Sequence, residues 1–274
     1  AGIVPLGEAL GASAADKFGF SYASVRALGS VGFLATGFGV GALISLQGTG
    51  LILLWIVVGF GLVALLGFYH PGGRSDGGHS ATQWSAIWSL FQNRVFLVFV
   101  MAAALVQSSH AVLYAFSSLH WRALGLTEDL GVAVEVVFML VLGRWVIDRL
   151  GPVRALGASA LVAFLRWLAM MADPTGADLW ILQTAHAITF GLSHLGAIAF
   201  LSQAVPSHLV SSAQGAYGGL AQGILMAFAM AAASAVYPAL GGATYGIGAI
   251  LAMASVGFAW ALGWIWFGKT LRGL

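Results

Sequence analysis

LGVAVEVVFMLVLGRWVIDRLGPVRAL, residues 130–156, decides how the rest of the chain is read. It opens as an apolar run with one acid, Glu135. It ends in a basic turn holding Arg144, Asp148, Arg149 and Arg154. Residues 130–147 approach the length that crosses a bilayer core, about 20 apolar residues with a range of ~17–25. A charged acid at the centre of such a segment costs roughly 2.5–3.5 kcal/mol on insertion scales. Such groups face a protein interior or a water-filled cavity. The stretch therefore predicts a polytopic helical membrane protein with an ionisable group on its pathway.

Composition points the same way. Hydrophobic residues are 60% of the chain and charged residues 7%, against about 25% charged in soluble domains. Mean hydropathy is +0.94. The 38 glycines suit close packing of membrane helices. With no cysteine, disulfides, thiol catalysis and cysteine-ligated metals are excluded. The net charge of +2 is spread along the chain and offers nucleic acid no basic patch. The lipid bilayer is the expected environment, and the sequence sets no oligomeric state.

Working outward, apolar spans are predicted at 25–46, 51–68, 95–119, 130–147, 153–171, 179–200, 210–237 and 244–267. Residues 1–14, with Pro5 and Glu8, read as the end of a further helix. That makes eight full spans and one partial one, an all-α fold. Residues 69–92, with HPGGRSDGGHSATQ, form the longest polar stretch and the best internal boundary. Alternating helices put Lys17, Arg26, Arg74, Arg94, Arg149, Arg154, Lys269 and Arg272 on one side. Arg122 is the only basic residue on the other. Eight against one is a strong positive-inside bias and makes the first side cytoplasmic.

Gln107, His110, Tyr114 and Ser118 follow i, i+3, i+7, i+11 and form one polar stripe on one helix face. Gln183, His186, Phe190 and His194 repeat the spacing. A polar stripe on a membrane helix faces protein or water rather than lipid. Each residue has a structural reading, interhelical hydrogen bonding; for the stripe as a whole, lining a cavity is favoured. His194 lies eight positions after His186, roughly 80° around and about 12 Å along a regular helix, so only one is expected level with a substrate. Gly191 between them is a candidate bend. That spacing also disfavours a metal pair. His70, His79, His120 and His208 read as solvent-exposed. Trp121, Trp145 and Trp180 read as an interface belt.

Glu135 and Arg166 are isolated charges in apolar spans, and two readings stay open. They form a structural intramembrane salt bridge, or Glu135 carries a coupled proton while Arg166 holds a substrate carboxylate by two hydrogen bonds. Glu8 is a second acid candidate for proton coupling. The sequence has no HExxH pair and no GxSG. GWIWFGKT at 263–270 fits the bare P-loop spacing, but it ends an apolar span and follows no strand. A bis-histidine haem using His110 with His186 or His194 has no other support, and no cofactor is expected.

DRLGPVR at 148–154 resembles the D-R-x-G-x-x-R cytoplasmic loop motif of the major facilitator superfamily. PLGEAL (5–10), VRALGSVGF (25–33), HAVLYAFSSLHW (110–121), Glu135, LRW (165–167) and QTAHAITFGLSHL (183–195) resemble the 3-phenylpropionate–proton symporter branch. That branch is related to the nucleoside–proton and lactose symporters. Gly143 sits one position further from Asp148 than the motif's leading glycine, so its role is not carried over. The segment before Glu135 is several residues shorter than the family pattern.

The resemblance implies a partial major-facilitator fold. Residues 1–68 would be the remnant of the N-terminal half, 69–92 the central cytoplasmic loop, and 93–274 the C-terminal six-helix half. In that fold the site sits at the midplane between halves. It implies proton-coupled symport of a small organic solute across a bacterial inner membrane, with an aromatic carboxylate favoured over a nucleoside or sugar. The rival class is a non-transporting helical scaffold or channel. Substrate contacts would come from Arg166, Gln107, His110, Tyr114, Gln183, His186 and Phe190. Asp148, Arg149, Gly151 and Arg154 would form the conformational loop. The first three helices of the pattern have no counterpart in residues 1–274. This stretch alone is therefore expected to be poorly stable or self-associating, and not to catalyse coupled transport.

Overall fold

The computed structural model describes residues 46–68, 84–124, 143–206 and 209–271, with scattered positions between 18 and 43. Among the described residues the regular structure is helical and no strand occurs. Glu8, Glu135, His70, His79, His208 and most of the expected 25–46 and 130–147 spans lie outside the described residues. So does the shortened segment before Glu135. The chain divides into two compact units, one of residues 9–81 and one containing residues 82–274.

The first unit contributes α1, Ile52–Phe68, with a 3-10 turn at Thr49–Leu51 before it. Its sequence is apolar on every face, and a helix of this kind is stable only inside lipid or a protein core.

The second unit begins with α2, Trp84–Gln92. The expected central loop is thus helical over its last nine residues. WSAIWSLFQ contains no Gly or Pro, and Ile87, Leu90 and Phe91 recur at helical spacing. Asn93 then caps α3, Arg94–Ser108, its Oδ1 accepting from the amides of Val95 (3.0 Å) and Phe96 (3.2 Å). After a break at Ser109–His110 the same rod continues as α4, Ala111–Ala123. α5 is Gly143–Met170, α6 Gly176–Thr184 and α7 Ser193–Ala204. α8 is Val210–Gly218, α9 Leu225–Leu240 and α10 Tyr245–Ile265. Two π-helical turns, Ala187–Leu192 and Gly219–Ile224, interrupt the rods between α6 and α7 and between α8 and α9.

Four continuous helical stretches among the described residues are long and apolar enough to cross a bilayer: Arg94–Ala123, Trp145–Met170, Gly176–Ala204 and Val210–Ile265. The last, drawn out as one helix, would run ~84 Å against a core of ~30 Å. It breaks at Gly241 (φ 51°), beyond Pro238, and so has length for two crossings.

The DRLGPVR turn lies inside α5. Gly151 takes φ 71°, ψ 166°, a region closed to side chains with a Cβ, and Pro152 opens the next helical stretch. Asp148, Arg149 and Arg154 are exposed around it, and the Arg149 guanidinium lies 4.8 Å from the Trp145 ring centroid. α3 is the buried axis of this unit, and α10 packs against both α3 and α5. Gly248 makes that approach possible: a methyl there would sit 2.6 Å from the Ser109 carbonyl oxygen and 3.1 Å from the Trp167 ring. At the end where α3 begins and α7 stops, Phe99 stacks on Phe200 at 4.1 Å, with Tyr217 and Trp266 beside them.

Two expectations about exposed residues are corrected. His120 is buried, hydrogen-bonded to Asp173 and Tyr237. Trp121 is buried in a cluster with Val112, Leu113 and Tyr245 rather than facing an interface. Both lie on the inward face of α4, a phase the span edge alone did not reveal. Trp145 and Trp180 are exposed, as an interface belt requires.

Candidate functional site: a buried arginine in a neutral cradle

Arg166 is 2% exposed. α5 carries it to the level where the α3–α4 rod breaks and the first π turn begins. One Nη donates to Thr189 Oγ1 at 3.0 Å and lies 3.3 Å from His186 Nδ1. The other donates to Gln183 Oε1 at 2.7 Å. The guanidinium carbon sits 4.5 Å from the Trp167 ring centroid, a cation–π distance. Nε is buried and has no hydrogen-bond partner. Among the described residues no carboxylate lies within ion-pair distance of this cation; every hydrogen-bond partner is neutral.

Thr189 links Arg166 to His110. The His110 Nδ1 lies 3.0 Å from the Val106 carbonyl and 3.3 Å from that of Gln107. Carbonyls only accept, so Nδ1 carries the proton and Nε2 accepts from the Thr189 hydroxyl at 3.1 Å. The same hydroxyl oxygen accepts from Arg166. Trp167 is held in turn, its Nε1 donating to Ser109 Oγ at 2.9 Å, and Ser109 Oγ donating to Val106 O at 2.7 Å. The cradle is therefore fixed from two sides before any ligand arrives.

An aromatic wall stands beside the cradle. His110 and His186 meet edge to face at 5.3 Å, Phe190 stacks on His186 at 5.3 Å, and His194 stacks on Phe190 at 6.3 Å. Tyr114, 47% exposed, lies 5.9 Å from His110 and 6.3 Å from His186. The π turn makes the His186–Phe190–His194 ladder possible. A regular helix would rotate His194 about 80° away from His186, and the slower i→i+5 winding offsets much of that rotation. Gly191, the candidate bend, lies within this π turn. Both ring nitrogens of His110 are engaged within the protein.

The sequence-predicted residues sort as follows. Arg166, Gln183, His186 and His110 converge, with Tyr114 and Phe190 on the wall. Gln107 is at the same level but braces helices, its Nε2 donating to Ser193 Oγ at 3.0 Å. Asp148, Arg149, Gly151 and Arg154 belong to the separate α5 turn. Glu135 and Glu8 lie outside the described residues. Sequence reading missed Thr189, Ser193 and Trp167. Thr189 and Ser193 could have been found, because each lies three or four residues along the face that carries His186 and Phe190.

A multi-pass helical bundle holding a buried cation in a polar, aromatic-walled layer is the build of a solute transporter. The model of the MFS_1 like family matches residues 1–250. The chain is 30% identical over 264 residues to the "Probable 3-phenylpropionic acid transporter" of Escherichia coli (strain K12), which covers 92% of this chain and 68% of that protein. The chain belongs to the MFS_1 like family and is a membrane transporter, not an enzyme.

Proposed function

We propose that this protein is a proton-coupled symporter of the inner membrane that imports a small aromatic carboxylate, such as 3-phenylpropionate. One observation carries the reading: Arg166 is a buried cation whose described partners are all neutral and whose Nε is unsatisfied. An unpaired charge at membrane depth is costly and marks a substrate or ion pathway. A substrate carboxylate supplies the missing charge and accepts from the guanidinium. The rings of Tyr114, His186 and Phe190 supply apolar and edge contacts for a phenyl group. A neutral nucleoside or sugar would bring no carboxylate to Arg166. The name of the Escherichia coli relative supports the aromatic acid.

Glu135 takes the coupled proton in this reading, with Glu8 as the second candidate. Substrate arriving at Arg166 would compete with Glu135 for the same cation and so link the two loads. Residues 93–274 serve as the C-terminal half, and the DRLGPVR turn acts as its conformational loop on the cytoplasmic side.

The test is uptake by the full-length protein into proteoliposomes under an imposed proton gradient. 3-Phenylpropionate should accumulate in a gradient-dependent manner, while a nucleoside and a disaccharide should not. Glu135→Gln should abolish accumulation but keep binding. Accumulation of the disaccharide alone would reject the aromatic acid, and gradient-independent uptake would reject symport.

A further inference from the structure

A second polar cluster lies far along α4 from the Arg166 layer. His120 Nε2 is 2.8 Å from Asp173 Oδ1, and His120 Nδ1 is 3.1 Å from the Tyr237 hydroxyl. A carboxylate only accepts, so Nε2 donates to Asp173 and Nδ1 accepts from Tyr237 O–H. The Tyr237 ring stacks on Phe116 at 4.3 Å, one turn before His120 on α4. Asp173 sits in the connection between α5 and α6, with φ 52°, a conformation unusual for a residue with a side chain. Gly242 lets the carboxylate lie where it does: a Cβ on Gly242 would collide with it. One imidazole thus ties α4, the α5–α6 connection and the end of α9, with the turn after α9 shaped around the tie.

The other end of α4 is a break. The rod stops at Ser108 and restarts at Ala111. His110, in the break, is bonded to Thr189 in the Arg166 cradle. Ser108 Oγ donates to the Ala221 carbonyl within the second π turn. α4 is therefore a lever with its pivot in the candidate binding layer and its far end pinned. Ten residues separate His110 from His120, about 15 Å of helix. Motion at the pivot is amplified at the pin.

We propose that His120, Asp173 and Tyr237 form a latch that holds α4 against the end of the bundle opposite the DRLGPVR turn, and that release of this latch lets α4 swing about Ser109–His110. The latch is held by hydrogen bonds to one charged group. Of the contacts that hold the far end of α4, the latch is the polar part, beside the packing of Trp121. The inference rests on the geometry of this unit and does not depend on which solute is carried.

The chain has no cysteine, so one introduced thiol reports without background. Ala233→Cys places it on α9 one turn before Tyr237, fully buried in the cluster that holds Leu113 and Trp121 of α4. Ala103→Cys places it on α3 before the pivot, fully buried. Both sites are probed with a maleimide in nanodiscs, where both membrane faces are accessible. Asp173→Ala, and separately Gly242→Ala, should raise labelling at position 233 about tenfold or more and leave position 103 unchanged, as expected for losing a hydrogen bond to a charged group. Tyr237→Phe, which removes only the neutral arm, should give a smaller rise at 233. If Asp173→Ala does not yield folded protein, Tyr237→Phe decides alone. Equal rises at 233 and 103 would show general loosening and overturn the latch. Unchanged labelling at 233 in folded variants would overturn it too. Binding of 3-phenylpropionate, read separately, tests the Arg166 site and not the latch.

Discussion

The 82–274 unit holds two buried clusters built from neighbouring stretches of the same helices, and they work by opposite rules. Near the start of α3, Phe96, Phe99, Phe200 and Leu201 are fully buried, with the Tyr217 hydroxyl buried beside them without a hydrogen-bond partner. One level away, Gln107, His110, Arg166, Gln183 and Thr189 are as deeply buried and are tied by directional hydrogen bonds. The first cluster needs only volume. The second needs particular atoms at particular places and still leaves Arg166 Nε unsatisfied. Apart from the Tyr217 hydroxyl, packing accounts for the first cluster, whereas the second holds a cation for which the described residues supply no anion. That asymmetry separates scaffold from site in a molecule where burial alone does not.

The comparison can be broken first at Phe200. Phe200→Ala should lower stability by about 3 kcal/mol, the order seen for large-to-small core changes, and leave carboxylate affinity within ~2-fold of wild type. Thermal unfolding in detergent and equilibrium binding check the two halves. An affinity loss of tenfold would mean the clusters are not separable. Gly248→Ala comes next. The added methyl meets the Ser109 carbonyl and the Trp167 ring, and overpacking of this kind costs roughly 1–3 kcal/mol. Because Ser109 and Trp167 also brace the cradle, it should lower both the unfolding temperature and the affinity.

Thr189→Val sharpens the contrast. It is close in shape but leaves His110 Nε2 and an Arg166 Nη without this partner in a buried site, so stability should fall by roughly 1–3 kcal/mol. Losing the hydroxyl that joins Arg166 to His110 should weaken carboxylate binding about tenfold, near the ~1.5–3 kcal/mol of a hydrogen bond to a charged group. An unchanged affinity would make Thr189 a packing residue. The smallest effect is expected at Gln107→Leu. Its bond to Ser193 is one interhelical link, and such links average ~0.6 kcal/mol in membrane proteins. Affinity should move by less than about threefold.

Much of this was legible in the sequence. The all-helical membrane class followed from hydropathy. The stripes at i, i+3, i+7, i+11 chose Gln107, His110, Gln183 and His186, because a polar residue in an apolar span must find a partner inside. DRLGPVR located a sharp turn, since Gly151 before Pro152 ends one helix and begins another. What the sequence hid depended on winding and on distance along the chain. The π turn at Ala187–Leu192 has no clear composition signal, so the alignment of His186, Phe190 and His194 was not foreseen. His120 read as exposed because its partners, Asp173 and Tyr237, lie 53 and 117 residues away. Residues 84–92 read as loop because the polar composition before them was extended too far.

The central claim is that Arg166 binds the carboxylate of the transported solute. Its most direct test is the equilibrium affinity of purified protein for 3-phenylpropionate and for the neutral 3-phenylpropionamide, in wild type and Arg166→Gln. The pair differs only in the group that would meet the guanidinium. Wild type should prefer the acid by roughly 100-fold, the scale of a buried charge pair, and Arg166→Gln should bring the two within about threefold. An equal preference for the acid in Arg166→Gln, or none in wild type, would contradict the account.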